Sequence, residues 1–419
     1  MKKAFCFLLI LMIFSGTFSA SVSADAGNGS ETRTAQDVTD VLDAALAQLR
    51  ATVTEPAFGT NAGEWTVFCL ARGGYISAGD PYFTNYYDRI EATVSEIAAE
   101  VNLNGALHKS KSTENSRLIV ALSAIGRDAR DVGGWNLVEA YSTGGLNWIK
   151  KQGINGTIWT LIALDSGNYE TSDPTIRQQC VDSILAARHD DGGWSLVTAK
   201  AQPSNVDVTC MTLTALYPYR DQPEVAAACA EAIEWLSDAQ LATGGFPYGK
   251  GETSESAAWA IVSLCTWGIN PDTDSRFIKN GKSAVDNLLS YYVEADKMFA
   301  HQGTVSNAMA TDQACYALIA YDRFLKGKNA LCDCSDVGEC THDYKAEELK
   351  APTDTENGYK TYVCALCGDR YTEIIAFSPV KNPSDIGTFI WIALSAVIVS
   401  GASIALVFWY KRKRISNDS

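Results

Sequence analysis

Two kinds of apolar pattern alternate along most of the chain. One kind is almost entirely apolar or small and directly follows a polar loop, at residues 65–70, 118–125, 158–164, 206–216, 257–267 and 314–324. Such runs predict helices that are buried on most sides. The other kind mixes charges with Ala and Leu at helical spacing and predicts amphipathic helices, at residues 37–49, 86–100, 136–149, 175–187, 224–237 and 282–292. Inner and outer helices in this alternation close most simply as two concentric rings.

A Gly-Gly-aromatic signature recurs in the same region at intervals of roughly 50 to 60 residues, which fits a pair of long helices per repeat. Its copies are Gly73-Gly74-Tyr75, Gly133-Gly134-Trp135, Gly192-Gly193-Trp194 and Gly244-Gly245-Phe246, with a degenerate copy at Met298-Phe299-Ala300. We expect each glycine pair to end a helix and to turn the chain with positive φ. We also expect each copy to lead into an apolar helix and each aromatic side chain to fill the core.

The two ends of the chain carry targeting signals. Residues 1–24 combine a basic start, an apolar run and small residues at 22–24, which is typical of a secretory signal peptide. Residues 386–410 carry no charge and are long enough to cross about 30 Å of hydrocarbon as a transmembrane helix. Because the basic run 411–414 follows at once, the tail 411–419 is predicted to be cytoplasmic. We therefore expect a single-pass cell-membrane protein with an extracellular N-terminal domain.

The predicted exterior divides in two, with the helical domain at residues 31–328 and a small cysteine-rich module at residues 329–377, followed by a linker at 378–385. In the module, the spacing of Cys340, His342, Cys364 and Cys367 is zinc-ribbon-like and suits one structural Zn²⁺. Disulfides are the alternative. Residues 342–369 also resemble a short surface repeat of bacterial secreted proteins, although Asp354 stands where a Cys usually follows Pro-Thr.

The helical domain resembles a known family. Residues 235–240 followed by Gly244-Gly245-Phe246 are similar to the Gln-Trp-type repeat of squalene cyclases and protein prenyltransferases, also called the prenyltransferase/squalene oxidase repeat. Residues 190–194 are similar to a second copy, with Arg188 in the Gln position. The resemblance covers roughly residues 35–325 and implies an all-α fold, the α6/α6 toroid of terpenoid cyclases. It is weaker evidence for function.

Residues 205–209 match the Asp-x-Asp-Asp-Thr run that carries the proton donor of the cyclases, and the resemblance places Asp207 on the donor position. Asn205 and Val208 replace both flanking carboxylates. A single Asp near a helix N-terminus is expected to be stabilised as an anion, so its pKa should be low and it should hold no proton to donate near neutral pH. Helix capping or ligand anchoring is the alternative role for Asp207.

The prenyltransferases of this family hold a zinc ion with an Asp-x-Cys pair on one inner helix and a His on the next. The corresponding positions here, residues 254–257 and 311–314, contain neither Cys nor His. Prenyl transfer is therefore not expected.

Polar residues at the starts of the inner helices should gather round one mouth of the toroid beside tryptophans, because all six inner helices point the same way. The candidate ligand-binding residues are Glu64, Trp65, Glu114, Arg117, Asn155, Trp159, Asp207, Glu255, Trp259, His301 and Asp312. Ordinary helix capping is the alternative for the polar ones.

The formal net charge of −15 argues against nucleic acid as a partner. Our first hypothesis is a membrane-anchored surface protein that binds a small molecule or glycan in an aromatic cavity with an acidic rim. A terpenoid and a corrinoid-like cofactor are among the ligands that would fit. The alternative is an exported enzyme of the cyclase-like superfamily, a cyclase, lyase or hydrolase that uses Asp207 as its catalytic residue.

Overall fold

The apolar pattern along the chain corresponds to twelve α-helices in the part of the chain that the computed structural model describes. That part comprises residues 33–59, 63–197, 199–337, 344–353, 355–364 and 370–376. In chain order the helices α1 to α12 are Ala35–Thr52, Glu64–Arg72, Pro81–Val101, Ser112–Ala124, Glu139–Ile149, Ile154–Ser166, Ile176–Ala186, Val206–Leu216, Pro223–Ala239, Ser254–Thr266, Ala284–Leu289 and Ala308–Leu325. Each predicted segment overlaps one helix.

The even-numbered helices form a closed inner ring. Each packs against the next, from α2 through α4, α6, α8 and α10 to α12, and α12 packs back against α2. Their residues are mostly buried, as the nearly continuous apolar runs require. The outer helices cover this ring, and α1 shows why, since its buried residues recur at helical spacing along one face: Val38, Leu42, Ala45, Leu46 and Leu49. The predicted α6/α6 toroid is confirmed.

The glycine pairs occupy two different kinds of loop. Gly73-Gly74 follows inner helix α2 and Gly133-Gly134 follows inner helix α4, and both lead into outer helices. Only the pairs at 192–193 and 244–245 lead into inner helices. The expectation that every copy precedes an apolar helix is therefore wrong for the first two. A glycine pair marks a tight turn, and tight turns occur at both ends of a helical hairpin.

The copies at 192–194 and 298–300 share a hydrogen bond between the loop and the inner helix that follows it. Trp194 is fully buried and its backbone N–H donates to Thr209 Oγ1 at 2.9 Å. Phe299, from the degenerate copy, is also fully buried and donates in the same way to Thr311 Oγ1 at 2.9 Å. In these copies the aromatic side chain fills the core, as expected, whereas Tyr75 of the first copy is exposed and the expectation is wrong there. The bond to threonine fixes the loop to the start of α8 and of α12.

Beyond α12, residues 329–337 fold across the C-terminal ends of the inner helices. Arg72, which is buried at the end of α2, donates to the backbone carbonyls of Leu331 at 2.9 Å and Asp333 at 2.7 Å. Arg72 Nη1 also pairs with Asp336 at 2.6 Å, and Arg323 pairs with the other oxygen of Asp336. Cysteines 332 and 334, which the sequence places in the cysteine-rich module, therefore lie against the toroid.

Among the described residues outside the α-helices, three 3₁₀-helices (Lys150–Gln152, Tyr217–Tyr219 and Ser275–Phe277) and several short strands interrupt the loops. Two hairpins lie in the loops before the last inner helices, β1 (Pro247–Tyr248) with β2 (Gly251–Glu252) and β3 (Tyr292–Val293) with β4 (Met298–Phe299). After the toroid, β5 (Tyr344–Lys350), β6 (Gly358–Cys364) and β7 (Arg370–Ile375) form an antiparallel sheet in that order. Within the described ranges, no helix is both long and apolar enough to cross a membrane. The predicted signal peptide 1–24 and transmembrane segment 386–410 lie outside the described residues.

The predicted zinc ligands fall largely outside the same ranges. Cys340, His342 and Cys367 are not among the described residues, and Cys364 is described only as the last backbone position of β6, paired with Tyr344. Zinc and disulfides therefore both stay predictions for this module.

Candidate functional site

A cavity of about 500 Å³ opens at the N-terminal ends of the inner helices. The candidate residues that line it come from all six inner helices and one loop: Trp65, Arg117, Asn155, Trp159, Asp207, Glu255, Trp259, His301 and Asp312. The toroid thus brings together residues that are up to about 250 positions apart in the sequence, because parallel inner helices present their first turns at one mouth. A volume of this size suits a small organic molecule.

Glu64 and Glu114 do not line the cavity, and both bind Arg117 instead. Glu64 is fully buried and accepts hydrogen bonds from Arg117 Nε at 3.1 Å and from the backbone N–H of Gly59 at 3.0 Å. Glu114 accepts from Arg117 Nη2 at 2.5 Å. Burial raises the pKa of Glu64, and the charge of Arg117 opposes that rise. The two glutamates neutralise the guanidinium at the rim of the cavity.

Four aromatic rings close on one another across the lumen of the inner ring. We call Trp65, Trp159, Trp259 and Tyr316 the aromatic tetrad. Neighbouring ring centroids are 5.3 Å apart for Trp65 and Trp159 and 5.9 Å for Trp159 and Trp259. They are 5.4 Å apart for Trp259 and Tyr316 and 6.1 Å for Tyr316 and Trp65. All four side chains line the cavity, so an occupant meets the faces or edges of π systems.

Asp312 is deeply buried and has few hydrogen bonds to offset the loss of hydration of its carboxyl group. Its side chain is 2% exposed, and among the described residues the hydrogen bond to its carboxyl group comes from Thr66, whose hydroxyl donates to Oδ1 at 2.9 Å. Burial raises the pKa of Asp312 to about 7, against a lowering by the bond from Thr66. Near neutral pH this carboxyl group is therefore present in both the protonated and the ionised form, beside the aromatic tetrad.

Asp207 differs from the expectation of a low pKa. Burial raises the pKa of Asp207, the negative charge of Glu255 adds to the rise, and hydrogen bonding from Ser256 opposes it. Its Oδ1 atom is buried and has no hydrogen-bond partner within the described part of the chain. The helix N-terminus does not stabilise the anion as expected because Asn205 occupies the N-cap and accepts from the backbone N–H of Val208. Desolvation then outweighs the helix dipole.

Glu255 and Asp312, like Asp207, are not the residues that cap their helices. Thr253 caps α10 and Asn307 caps α12, each accepting a backbone N–H through its side-chain oxygen. Glu255 and Asp312 lie further into these helices and leave the capping positions to those residues. Ordinary capping, the alternative for the polar residues, therefore does not account for Asp207, Glu255 or Asp312.

Glu255 binds His301 at the mouth. Both carboxylate oxygens of Glu255 lie 2.8 Å from Nδ1 of His301. The ring of Tyr248, on the hairpin β1–β2, packs edge-on against the imidazole with centroids 6.2 Å apart. The His301 side chain is 46% exposed, so it stands between the cavity and solvent.

Sequence reasoning missed Tyr316, Thr66 and Tyr248. Tyr316 follows Asp312 by one helical turn, so a signal existed in the spacing, since residues four apart share a helix face. Thr66 sits beside Trp65 but contributes only through Asp312, far away in the sequence. Nothing in the sequence around Tyr248 distinguishes it from a loop residue.

A second cavity of about 800 Å³ lies at the opposite end of the inner helices, beneath residues 328–335. Its hydroxyl groups are already engaged, since Thr214, Thr266 and Ser166 each donate to a carbonyl of their own helix at 2.8 to 3.0 Å. The titratable groups with raised pKa values that face the aromatic tetrad belong to the first cavity. We therefore take the first cavity as the candidate functional site.

Comparison with known proteins gives a fold-level likeness alone. No protein-family model matches the chain, and no curated protein matches it. Among solved structures, the chain is similar to the apo type II terpene cyclase MstE from Scytonema, with 11% sequence identity and a TM-score of 0.45. The match covers 68% of this chain and 99% of that chain. The assignment of the toroid rests on the closed ring of helix contacts in this protein.

Proposed function

We propose that the toroid is an acid catalyst that protonates a neutral, largely apolar substrate of the isoprenoid class. The observation that carries the proposal is the Asp312 carboxyl group, which is buried beside the aromatic tetrad and has a pKa of about 7. A general acid works best when its pKa lies near the working pH. This is the enzyme alternative from the sequence, with Asp312 added as a donor beside Asp207.

The chemistry follows from the two kinds of side chain present. The O–H bond of the carboxylic acid breaks, and its proton forms a C–H bond on one carbon of an alkene, which leaves a positive charge on the other carbon. On an epoxide the proton forms an O–H bond on the ring oxygen instead, and cleavage of one C–O bond leaves the positive charge on carbon. Aromatic faces attract cations through their quadrupole, by about 2 kcal/mol or more when the site excludes water. The aromatic tetrad would stabilise that charge. Asp312 is the first candidate for the donor, and Asp207, which the resemblance places on the donor position, is the second.

The charges at the cavity favour a neutral substrate. Among the described residues that line it, Arg117 is the one Lys or Arg side chain, and Glu64 and Glu114 already bind it. Glu255 would repel a phosphate or diphosphate group, and so would Asp207 and Asp312 in their ionised forms. An uncharged alcohol, epoxide or hydrocarbon avoids this repulsion.

The test is conversion of farnesol and its terminal epoxide by the purified full-length protein, followed by chromatography and mass spectrometry. We expect the variants Asp312→Asn and Asp207→Asn to separate the two donors, with a loss of roughly 100-fold or more for the true donor. Asp322→Asn, on the same helix as Asp312 but outside the cavity, is the matched control. Conversion that survives in both cavity variants would contradict acid catalysis by these groups.

Binding without chemistry is the second candidate, and one observation favours it. The partnerless Oδ1 of Asp207 would gain a hydrogen bond from a donor on a bound ligand. A terpenoid alcohol, a corrinoid-like cofactor or a glycan could supply one. Native mass spectrometry of the purified protein, with the co-purifying molecule identified, tests this reading. A bound molecule that the protein releases unchanged, and that Asp207→Asn no longer retains, would favour binding.

We also propose that the site is exported. The predicted signal peptide at 1–24 and the uncharged segment 386–410 support a toroid outside the cell, tethered by one transmembrane helix. A structural Zn²⁺ held by Cys340, His342, Cys364 and Cys367 would stabilise the module between toroid and membrane.

A further inference from the structure

The pair formed by Glu255 and His301 stands at the mouth of the cavity, and neither side chain donates the proton in the proposed protonation step. Glu255 belongs to the first turn of α10, and His301 follows strand β4. Both oxygens of Glu255 are 2.8 Å from Nδ1 of His301. The two side chains line the same cavity as Asp312 and the aromatic tetrad.

Backbone and ring contacts fix the imidazole in place. The backbone N–H of Ser254, next to Glu255, donates to the carbonyl of His301 at 3.2 Å, which ties the loop to the start of α10. Tyr248 packs edge-on against the imidazole from the neighbouring hairpin. A side chain held from two sides loses little further conformational freedom when it reacts.

The bond to Glu255 decides which nitrogen of His301 can accept a proton. A carboxylate only accepts hydrogen bonds, so Nδ1 of the neutral imidazole carries the hydrogen and Nε2 keeps its lone pair. Within the described part of the chain, the hydrogen bonds of the His301 ring involve Nδ1 alone. A carboxylate on Nδ1 also stabilises the imidazolium that forms when Nε2 takes up a proton.

We propose that His301 is the base that ends the reaction, taking a proton through Nε2 from the carbocation that the acid generates, with Glu255 as its positioning residue. The inference rests on the proposed function. A C–H bond next to the cationic carbon breaks, its electron pair forms a new C=C bond, and the proton forms an N–H bond on Nε2. The half-exposed imidazolium then passes the proton to water, so the reaction consumes neither oxidant nor reductant. The product is an alkene isomeric with the substrate.

The alternative fate of the carbocation is capture by water, which forms a C–O bond and loses a proton to leave a new hydroxyl group. This hydrated alcohol contains one water more than the substrate, whereas the alkene is isomeric with the substrate. The mouth leaves the His301 side chain nearly half exposed, so water enters the cavity on the side where His301 lies. Elimination therefore requires a base that stands closer to the cation than bulk water does. The ratio of alkene to alcohol among the products reports on that base and not on the acid.

The experiment compares products formed from farnesol epoxide by the full-length protein and by the variants His301→Ala, His301→Gln and Glu255→Gln. We expect the ratio of alkene to hydrated alcohol, which differ in mass, to fall at least tenfold in both His301 variants. Glu255→Gln should lower the ratio by a smaller factor. His108→Ala, a change outside the cavity, is the matched control and should keep the wild-type ratio.

Chemical rescue separates catalysis from structure. Added imidazole should restore alkene formation in His301→Ala and leave His108→Ala unchanged, and thermal unfolding identifies any variant that is merely destabilised. An unchanged ratio in folded His301→Gln, or a changed ratio in His301→Ala that imidazole does not restore, overturns the assignment of His301. Absence of any conversion by the wild-type protein overturns the proposed function itself, and this inference with it.

Discussion

Replacing Asp312 by Asn should remove one specific pH dependence from the stability of the protein. Burial raises the pKa of Asp312 from its ordinary value of 3.8 to about 7. Between those values the native state holds a proton that the unfolded state has released. The stabilising contribution of the protonated carboxyl group is therefore complete below about pH 4 and is lost as the pH rises to about 7.

The size of the effect follows from the two pKa values. At about 1.4 kcal/mol per pH unit, the interval from 3.8 to about 7 corresponds to at most about 4 kcal/mol. Asn has the same shape, can still accept the hydrogen bond from Thr66 and does not ionise. We therefore expect Asp312→Asn to behave like wild type at about pH 4 and to be more stable by up to about 4 kcal/mol at about pH 8.

Denaturant unfolding of both proteins, followed by circular dichroism across that pH range, measures the difference. Other groups with raised pKa values, such as Glu64 and Asp165, titrate in both proteins and cancel in the comparison. Asp322→Asn, at the surface of the same helix, should show the wild-type pH profile. Parallel profiles for wild type and Asp312→Asn would refute the claim that Asp312 is protonated in the native state near neutral pH.

Three further predictions concern residues 329–337, which Arg72 and Arg323 hold across the C-terminal ends of the inner helices, and the two ends of the chain. Arg72→Ala should lower the free energy of unfolding in denaturant by roughly 3–5 kcal/mol, because buried carbonyls and Asp336 lose their partner. Arg130→Ala, a change at an exposed ion pair, should lower it by about 0–1 kcal/mol. Equal losses would contradict the role of Arg72 in holding residues 329–337. Protease added to intact cells should remove the exterior and leave a small stub containing residues 386–410, and a protected toroid would contradict that topology. Metal analysis of the purified protein should find about one Zn²⁺ per chain, lost with unfolding of the module in chelator, while thiols blocked to alkylation until reduction would favour disulfides.

The helical framework could be predicted from sequence because the pattern of apolar residues along each helix matches the positions that the fold buries. Inner helix α6 is apolar or small at nearly every position and is buried at nearly every position. Outer helix α1 is buried on one face and polar on the other. The glycine signature was less informative, because a glycine pair marks a turn without indicating which helix follows it. Gly73-Gly74 leads from an inner to an outer helix, whereas Gly244-Gly245 leads from an outer to an inner helix. At Gly244 the reason is clear, since its φ is +81° and a Cβ there would lie 2.2 Å from the carbonyl oxygen of Ser283.

The positions of the site residues could be predicted, but their protonation could not. The shared direction of the inner helices was enough to gather Asp207, Glu255 and Asp312 at one mouth. Their pKa values depend on distant contacts, such as the bond between Thr66 and Asp312, which join residues 246 positions apart. For Asp207 the local sequence pointed to the helix dipole, which favours the anion. The structure adds desolvation, which the local sequence does not encode and which has the larger effect.

The position of the aromatic tetrad bears on how the proposed acid-catalysed reaction would end. The tetrad lines the same cavity as Asp312 at the N-terminal mouth, and the segment held by Arg72 and Arg323 folds across the other end of the inner helices. The burial that raises the pKa of Asp312 also keeps bulk water from its carboxyl group. A cation formed beside the tetrad would then find water, and the imidazole of His301, on the same side. Whether such a cation ends as alkene or alcohol is therefore decided at the mouth, where Glu255 holds His301.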